Sequence, residues 1–173
     1  MNKKDFIKKY THNKSCINHD LCSTCINPCC KVSGCDALPF DVEPFTKEHI
    51  IELIDKGIYS ISYANLTRGK VIPVLRSREV GAGVFNFSTE NRPCSLLGKN
   101  GCTLTEKERP TMALLLIPKQ HVFFDEGRSC KQLLSTKTFI KLWSKKVELM
   151  EEVVKHYSGG KDFNTFFIET VCK

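Results

Sequence analysis

The sequence has no long apolar run. Its longest, residues 112–117, covers six residues, whereas a membrane-spanning helix needs about 20. The first residues include Lys3 and Lys4, but no apolar stretch follows them, as a secretory signal would require. We therefore expect a cytoplasmic protein without a membrane segment, in a compartment that keeps thiols reduced.

The sequence also lacks the motifs of common enzyme classes. It contains no GxGxxG, no phosphate-binding loop and no signature of a catalytic triad. It has no internal repeat and no low-complexity tract, and its 173 residues suit one domain. We leave enzymatic activity open and favour a binding role.

Cysteine, in contrast, is abundant, with ten residues in the chain. In a reducing compartment, many cysteines indicate metal binding rather than disulfides. Cys22 and Cys25 are spaced so that a tight turn can direct both sulfurs to one metal ion, and Cys94 with Cys102 is the natural second pair. The predicted metal ligands are Cys22, Cys25, Cys29, Cys30, Cys35, Cys94, Cys102 and Cys130.

This set of thiols leaves two questions open. Four thiolates suit either Zn²⁺ or a [4Fe–4S] cluster. Eight thiols exceed one site of four, so the chain holds either two sites or one site with spare cysteines. Cys16 and Cys172 are more typical of bystanders, and His19 and His121 are the best spare ligands. A thioredoxin-type redox pair is disfavoured because Cys22 and Cys25 lie in a turn-rich stretch.

The positive charge lies at the two ends of the chain. Five basic and two acidic residues give +3 in residues 1–20, and nine basic and five acidic residues give +4 in residues 128–173. Residues 21–127 have twelve of each sign and no net charge. The ends can attract nucleic acid or a protein partner. We favour solvated faces, because no nucleic-acid motif accompanies the lysines, and keep a zinc-stabilised interaction module as the alternative.

Hydrophobic patterning predicts a small α+β domain. We expect a basic arm over residues 1–20, which includes a short helix around Phe6 as an alternative, and a metal-binding domain over 21–173. Its cysteine-rich part, 21–131, consists of irregular metal-stabilised loops with a short β-hairpin, and its part 135–173 is helical.

Individual elements follow from caps, glycines and periodicity. The pattern predicts a helix over 46–56 that ends at Gly57, a long helix from Ser135 or Thr136 to about 157, and a last helix over 164–171. Strands are predicted over 70–76 and 83–88, joined at Gly81 and Gly83, with another over 122–124. The Asn-Gly pair at 100–101 predicts a tight turn that brings Cys94 toward Cys102.

The order of these motifs resembles the YkgJ-like cysteine-cluster family over roughly residues 20–131. The matching residues are Cys22-x2-Cys25-x3-Cys29-Cys30, then Arg92-Pro93-Cys94, Asn100-Gly101-Cys102 and Glu108-Arg109-Pro110. The resemblance implies a zinc- or iron-chelating domain, with chelation more firmly implied than catalysis. Its broader relatives include flagellin lysine-N-methylases with an iron–sulfur-type cluster, which makes a small methyl-transfer enzyme another alternative.

One position departs from the family pattern. After the second Arg-Pro, relatives have a cysteine and an arginine where this chain has Ala113 and Leu114. If that cysteine is a ligand in relatives, this chain must lose it, replace it or hold a different metal. Cys130 and Cys35 are the possible substitutes.

Overall fold

The computed structural model describes residues 2–11, 30–31, 33–66, 70–88, 90–99, 101–117 and 131–171. This part of the chain is mixed helix and antiparallel sheet, as predicted. Its helices are α1 (Lys3–Thr11), a 3-10 helix (Pro39–Val42), α2 (Lys47–Asp55), α3 (Thr111–Leu114), α4 (Thr136–Ser144), α5 (Val147–Ser158) and α6 (Phe163–Val171). Its strands are β1 (Tyr59–Asn65), β2 (Val71–Ser77), β3 (Leu97–Gly98), β4 (Gly101–Cys102), β5 (Leu116–Ile117) and β6 (Lys131–Gln132).

The strands form three two-stranded antiparallel sheets, β1–β2, β3–β4 and β5–β6. None of the helices that the model describes is long and apolar enough to cross a bilayer. The predicted strand over 122–124 lies outside the described residues.

Helix α2 confirms the prediction for residues 46–56. Thr46 is the N-cap, and its side-chain oxygen accepts a hydrogen bond from the backbone N–H of His49 at 3.3 Å. Gly57 follows with a φ of 74°, a left-handed conformation that ends helices and that glycine adopts without strain. Ile50 and Ile54 are fully buried, so the helix presents the expected apolar face to the core.

The predicted hairpin between residues 70–76 and 83–88 is wrong. Strand β2 occupies the predicted position, but it pairs with the upstream strand β1, in a register that sets Tyr59 opposite Ser77 and Asn65 opposite Val71. The segment around Phe85 instead makes a single parallel bridge to Ile61 on the other edge of β1. Strand β1 takes one edge of β2 and Asp36 bridges Arg76 on the other edge, so the downstream segment pairs with the far edge of β1.

The chain start forms helix α1, which is the helical alternative expected around Phe6. The ring of Phe6 is 1% exposed and lies 4.9 Å, centroid to centroid, from Phe40 of the 3-10 helix. Thr11, the last residue of α1, is also buried. Residues 3–11 therefore pack on the domain, while the expected boundary at residue 20 lies outside the described residues.

The long C-terminal helix predicted over 135–157 is two helices, α4 and α5. Ser135 caps α4 as predicted, and Gly159, with a φ of 70°, ends α5. Between them, the Ser144 hydroxyl donates to the Ile140 carbonyl at 2.8 Å, a side-chain bond that competes with the helical backbone pattern. Trp143 of α4 and Met150 of α5 are both fully buried.

The core lies where α4, α5 and α6 pack against β2, with α2 packed on α5 and β1. Helix α6 confirms the helix predicted over 164–171 and starts one residue earlier. The single tryptophan, Trp143, is fully buried, and its indole Nε1–H donates to the Ala37 carbonyl at 3.0 Å. The segment that follows Cys35 is thereby tied to the helical half of the domain.

Candidate functional site

Half of the predicted metal ligands lie in the described part of the chain. These are Cys30, Cys35 and Cys102, which are half-buried, and Cys94, which is buried. The remaining predicted ligands and spare ligands lie outside the described residues: Cys22, Cys25, Cys29, Cys130, His19 and His121. The bystanders Cys16 and Cys172 also lie outside them.

The end of strand β2 aligns the segment that carries Cys35. The backbone N–H of Ser77 donates to the Cys35 carbonyl at 2.8 Å, and the N–H of Ala37 donates to the Leu75 carbonyl at 2.9 Å. Asp36 forms an antiparallel bridge with Arg76 between these two bonds. Cys35 thus continues the sheet on the edge of β2 that β1 leaves open.

Residues just after β2 align a second cysteine segment. Glu79 forms an antiparallel bridge with Cys94. The N–H of Val80 donates to the Pro93 carbonyl at 2.8 Å, and the N–H of Ser95 donates to the Arg78 carbonyl at 2.8 Å. Cys35 and Cys94 are therefore attached to backbone positions only two residues apart, at Ser77 and Glu79.

Cys30 lies next to the segment that carries Cys94. The backbone N–H of Cys94 donates to the Cys30 carbonyl at 2.7 Å. Cys30 is the last residue of the first predicted cysteine motif and Cys94 is the first cysteine of the second motif. The two motifs are thus in direct backbone contact, although a long stretch of chain separates them.

Gly34 makes the approach of Cys35 to β2 possible. A Cβ atom at residue 34 would lie 2.0 Å from the Ser77 carbonyl oxygen, a distance that no side chain tolerates. The same residue donates its backbone N–H to Glu79 Oε1 at 2.8 Å. Only glycine allows this close backbone contact, so the Gly-Cys order at 34–35 has a structural cause.

Two carboxylates and an arginine surround these contacts. Glu79 is 2% exposed, and its Oε2 accepts from the Asn86 side-chain amide at 2.9 Å. Arg76 Nε donates to Asp36 Oδ1 at 2.8 Å, and Arg76 comes within 3.9 Å of Glu79. Burial alone would lower the pKa of Arg76, but the charges of Asp36, Glu79 and Cys35 raise it overall, so the guanidinium stays charged.

Tyr59 lies beside the same thiols. Its side chain is 3% exposed, and its backbone pairs with Ser77. Burial is the main reason why its pKa is raised, and the negative charges of Asp41, Cys35 and Cys94 raise it further. The Tyr59 hydroxyl therefore stays neutral, within electrostatic reach of two of the predicted ligands.

Cys102 lies on the hairpin that the Asn-Gly pair predicts. Strands β3 and β4 are antiparallel, Leu97 faces Cys102, and Gly101 has a φ of 104°. The N–H of Leu97 donates to the Cys94 carbonyl at 3.1 Å, so the hairpin begins immediately after Cys94. The turn sets Cys102 opposite Leu97, and the approach of Cys94 to Cys102 stays a prediction.

A buried carboxylate that sequence reasoning missed organises the second Arg-Pro motif. Asp41, whose side chain is fully buried, accepts hydrogen bonds from the backbone N–H of Leu38 at 2.8 Å and of Thr111 at 2.9 Å. The Thr111 hydroxyl donates to its other oxygen at 2.6 Å, and Lys3 Nζ lies 3.1 Å away. Only the Leu38-x-x-Asp41 spacing, which sets the carboxylate at the third position of the 3-10 helix, could have signalled this role.

Ala113, at the position where the YkgJ-like pattern has a cysteine, lies in the short helix α3 and is half-buried. The histidines of the described chain contact other residues: His49 Nδ1 lies 3.6 Å from Glu52, and the ring of His156 packs edge-on against Tyr157. Within the described ranges, no three His, Cys, Asp or Glu side chains form a group that could hold a metal ion. The cysteines whose backbones come together there carry thiols, the soft donors that zinc and iron–sulfur clusters use.

The chain matches no protein-family model, no curated protein and no solved structure. The resemblance to the YkgJ-like family therefore depends on the quoted motifs alone.

Proposed function

We propose that this chain is a cysteine-cluster metalloprotein of the YkgJ-like type that holds Zn²⁺ or a [4Fe–4S] cluster in the cytoplasm. The metal would be bound by thiolates of the first motif, Cys22, Cys25, Cys29 and Cys30, together with those of the second, Cys94 and Cys102. Cys35 and Cys130 are the substitutes for the cysteine that Ala113 replaces. The metal would stabilise the loops of residues 21–131, and a cluster would transfer electrons or serve a partner enzyme.

The observation that carries this proposal is the 2.7 Å hydrogen bond from the Cys94 N–H to the Cys30 carbonyl. Metal sites built from two cysteine motifs require the motifs to meet in space, because one ion cross-links both. That bond supports a shared site, since it joins the end of one motif to the start of the other. Cys35, held at the end of β2, supplies a further thiol to the same region.

The donor chemistry favours zinc or iron over hard cations. Thiolates bind zinc and iron–sulfur clusters, whereas calcium and magnesium prefer oxygen ligands. The carboxylates next to the cysteines are already engaged: Glu79 accepts from Gly34 and Asn86, and Asp36 accepts from Arg76. The thiols are therefore the donors that we expect to bind the metal.

One ion pair reduces the positive excess at the N-terminal end, on which the alternative of nucleic-acid binding depends. Lys3 Nζ lies 3.1 Å from the fully buried carboxylate of Asp41, which belongs to the segment without net charge. One of the five basic residues in 1–20 is thus paired within the domain.

Anaerobic purification followed by metal analysis and a visible spectrum tests the proposal. A [4Fe–4S] cluster would give four iron and four sulfide per chain with broad absorbance near ~400 nm, and zinc would give a colourless protein with stoichiometric metal. A chain that contains neither metal, even after anaerobic reconstitution with iron and sulfide or with zinc, would contradict the proposal.

A further inference from the structure

We propose that Glu79 is a positioning residue for the metal-binding thiols, which rests on the function proposed above. In this role Glu79 does not bind the metal. It fixes the segment that carries Cys35 relative to the segment that carries Cys94, so that the two thiols keep one separation whether or not metal is bound.

Glu79 contacts both segments by different parts of the same residue. Its backbone is bridged to Cys94. Its side-chain Oε1 accepts the backbone N–H of Gly34, the neighbour of Cys35, at 2.8 Å. The Gly34 backbone already lies against β2, since a Cβ at this residue would be 2.0 Å from the Ser77 carbonyl oxygen. Glu79 thus contacts the Cys94 segment through its backbone and the Cys35 segment through its side chain.

A carboxylate is an expensive residue for a purely structural bridge. Glu79 is 2% exposed, and the direct donors to its two oxygens, the Gly34 N–H and the Asn86 amide, are neutral. The nearest cation, Arg76, is 3.9 Å away and donates at 2.8 Å to Asp36 instead. Burying a carboxylate is unfavourable unless its oxygens are well paired. The carboxylate provides two acceptors, one for the Gly34 N–H and one for the Asn86 side-chain amide.

Residues that position metal ligands without touching the metal are known to matter. Their substitution typically lowers metal affinity about 10- to 100-fold. Asp41 offers a matched control in this chain, since it is also a fully buried carboxylate that accepts backbone N–H groups. Its partners are Leu38 and Thr111, which carry no thiol.

The experiment compares E79A, E79Q and D41N by Co²⁺ titration of the metal-free full chain, with Zn²⁺ competition. E79A removes the acceptor of the Gly34 N–H, whereas E79Q keeps an amide oxygen that accepts it. We expect E79A to lower the affinity about 10- to 100-fold and E79Q to retain most of it, with D41N within about threefold of wild type. Wild-type affinity in E79A, or an equal loss in D41N, would overturn the inference.

Hydrogen exchange on the same metal-free proteins separates this inference from the proposed function. We expect faster exchange in E79A at the peptides that cover 33–37 and 93–97, with no change in α5, and a smaller increase in E79Q. Unchanged exchange at those peptides would overturn the positioning role. If wild-type protein binds neither cobalt nor zinc, the proposed function fails, while the exchange data still decide whether Glu79 fixes the two segments.

Discussion

Replacing Asp41 with alanine should be among the most destabilising single changes outside the cysteine motifs. Its carboxylate joins three parts of the chain: Lys3 at the start of α1, Leu38 before the 3-10 helix, and Thr111 after the second Arg-Pro pair. The side chain is fully buried, so water cannot take over these contacts. The change removes the acceptor for three hydrogen bonds and one ion pair at once.

The magnitude follows from the groups left behind. Leu38 and Thr111 are fully buried, so their backbone N–H groups lose their partner without access to water. Each such orphan costs about 1–3 kcal/mol. Lys3 is 21% exposed and can turn to solvent, so it adds less. We expect D41A to lose about 3–5 kcal/mol of unfolding free energy, the range for breaking a buried pair. D41N keeps one acceptor and should lose about 1–3 kcal/mol.

Urea denaturation followed by far-UV circular dichroism measures both losses, with all proteins in the same metal state because bound metal adds stability by mass action. The slope of the transition should stay unchanged, since the same surface is exposed on unfolding. A loss below about 1 kcal/mol for D41A would refute the reasoning, because surface substitutions alone reach about half of that.

Three further changes test other parts of the structure. Gly34→Ala should lose about 1–3 kcal/mol or more of unfolding free energy in urea denaturation. At Gly83 a Cβ meets nothing within 4 Å, so Gly83→Ala should stay within about 0.5 kcal/mol of wild type. Equal losses in the two variants would contradict the close contact at Gly34. Trp143→Phe should lose about 2–3 kcal/mol by circular dichroism, since it opens a void and leaves the Ala37 carbonyl without its donor; a loss under about 0.5 kcal/mol would contradict this. Because the pKa of Tyr59 is raised on folding, the contribution of Tyr59 to stability should be constant below pH 10 and fall above it, as the unfolded chain ionises first. Tyr59→Phe should make the loss of stability above pH 10 smaller in denaturation midpoints, and an unchanged loss would contradict the shift.

Local signals predicted the helices well. The Thr46 cap, the left-handed glycines at 57 and 159, and the Ser135 cap each act within one helical turn, so the sequence alone carries them. The break between α4 and α5 escaped prediction because Lys145 and Lys146 are good helix formers and the apolar stripe continues across them. Only the Ser144 side chain hints at it.

Strand pairing was harder to predict because it is not local. Strand β1 alternates Tyr59, Ile61 and Tyr63 with Ser60 and Ser62, a period of two that signals a strand. The serines are buried as well, so the alternation of residue types in β1 does not mark a buried and an exposed face. Without β1, the downstream segment near Phe85 is the natural partner for β2.

The sequence singled out the cysteines of the candidate site as predicted ligands, but not the contacts that hold their segments together. Cysteine spacing identified Cys30, Cys35 and Cys94, and the structure brings their backbones to one end of β2. Nothing in the sequence singled out Glu79, because a glutamate beside Arg78 is typical of an exposed ion pair. Its burial depends on Gly34 and Asn86, which meet it only in the folded chain.

The most direct test of the central claim is the metal content per chain of C30S and C94S, measured after identical anaerobic reconstitution with wild type. Cys172, a predicted bystander, provides C172S as the matched control for loss of a thiol. If the two cysteine motifs share one metal site where Cys94 contacts Cys30, both C30S and C94S should lose most of their metal while C172S retains the wild-type amount. A C94S protein that keeps the full metal content and the wild-type melting temperature would contradict the account.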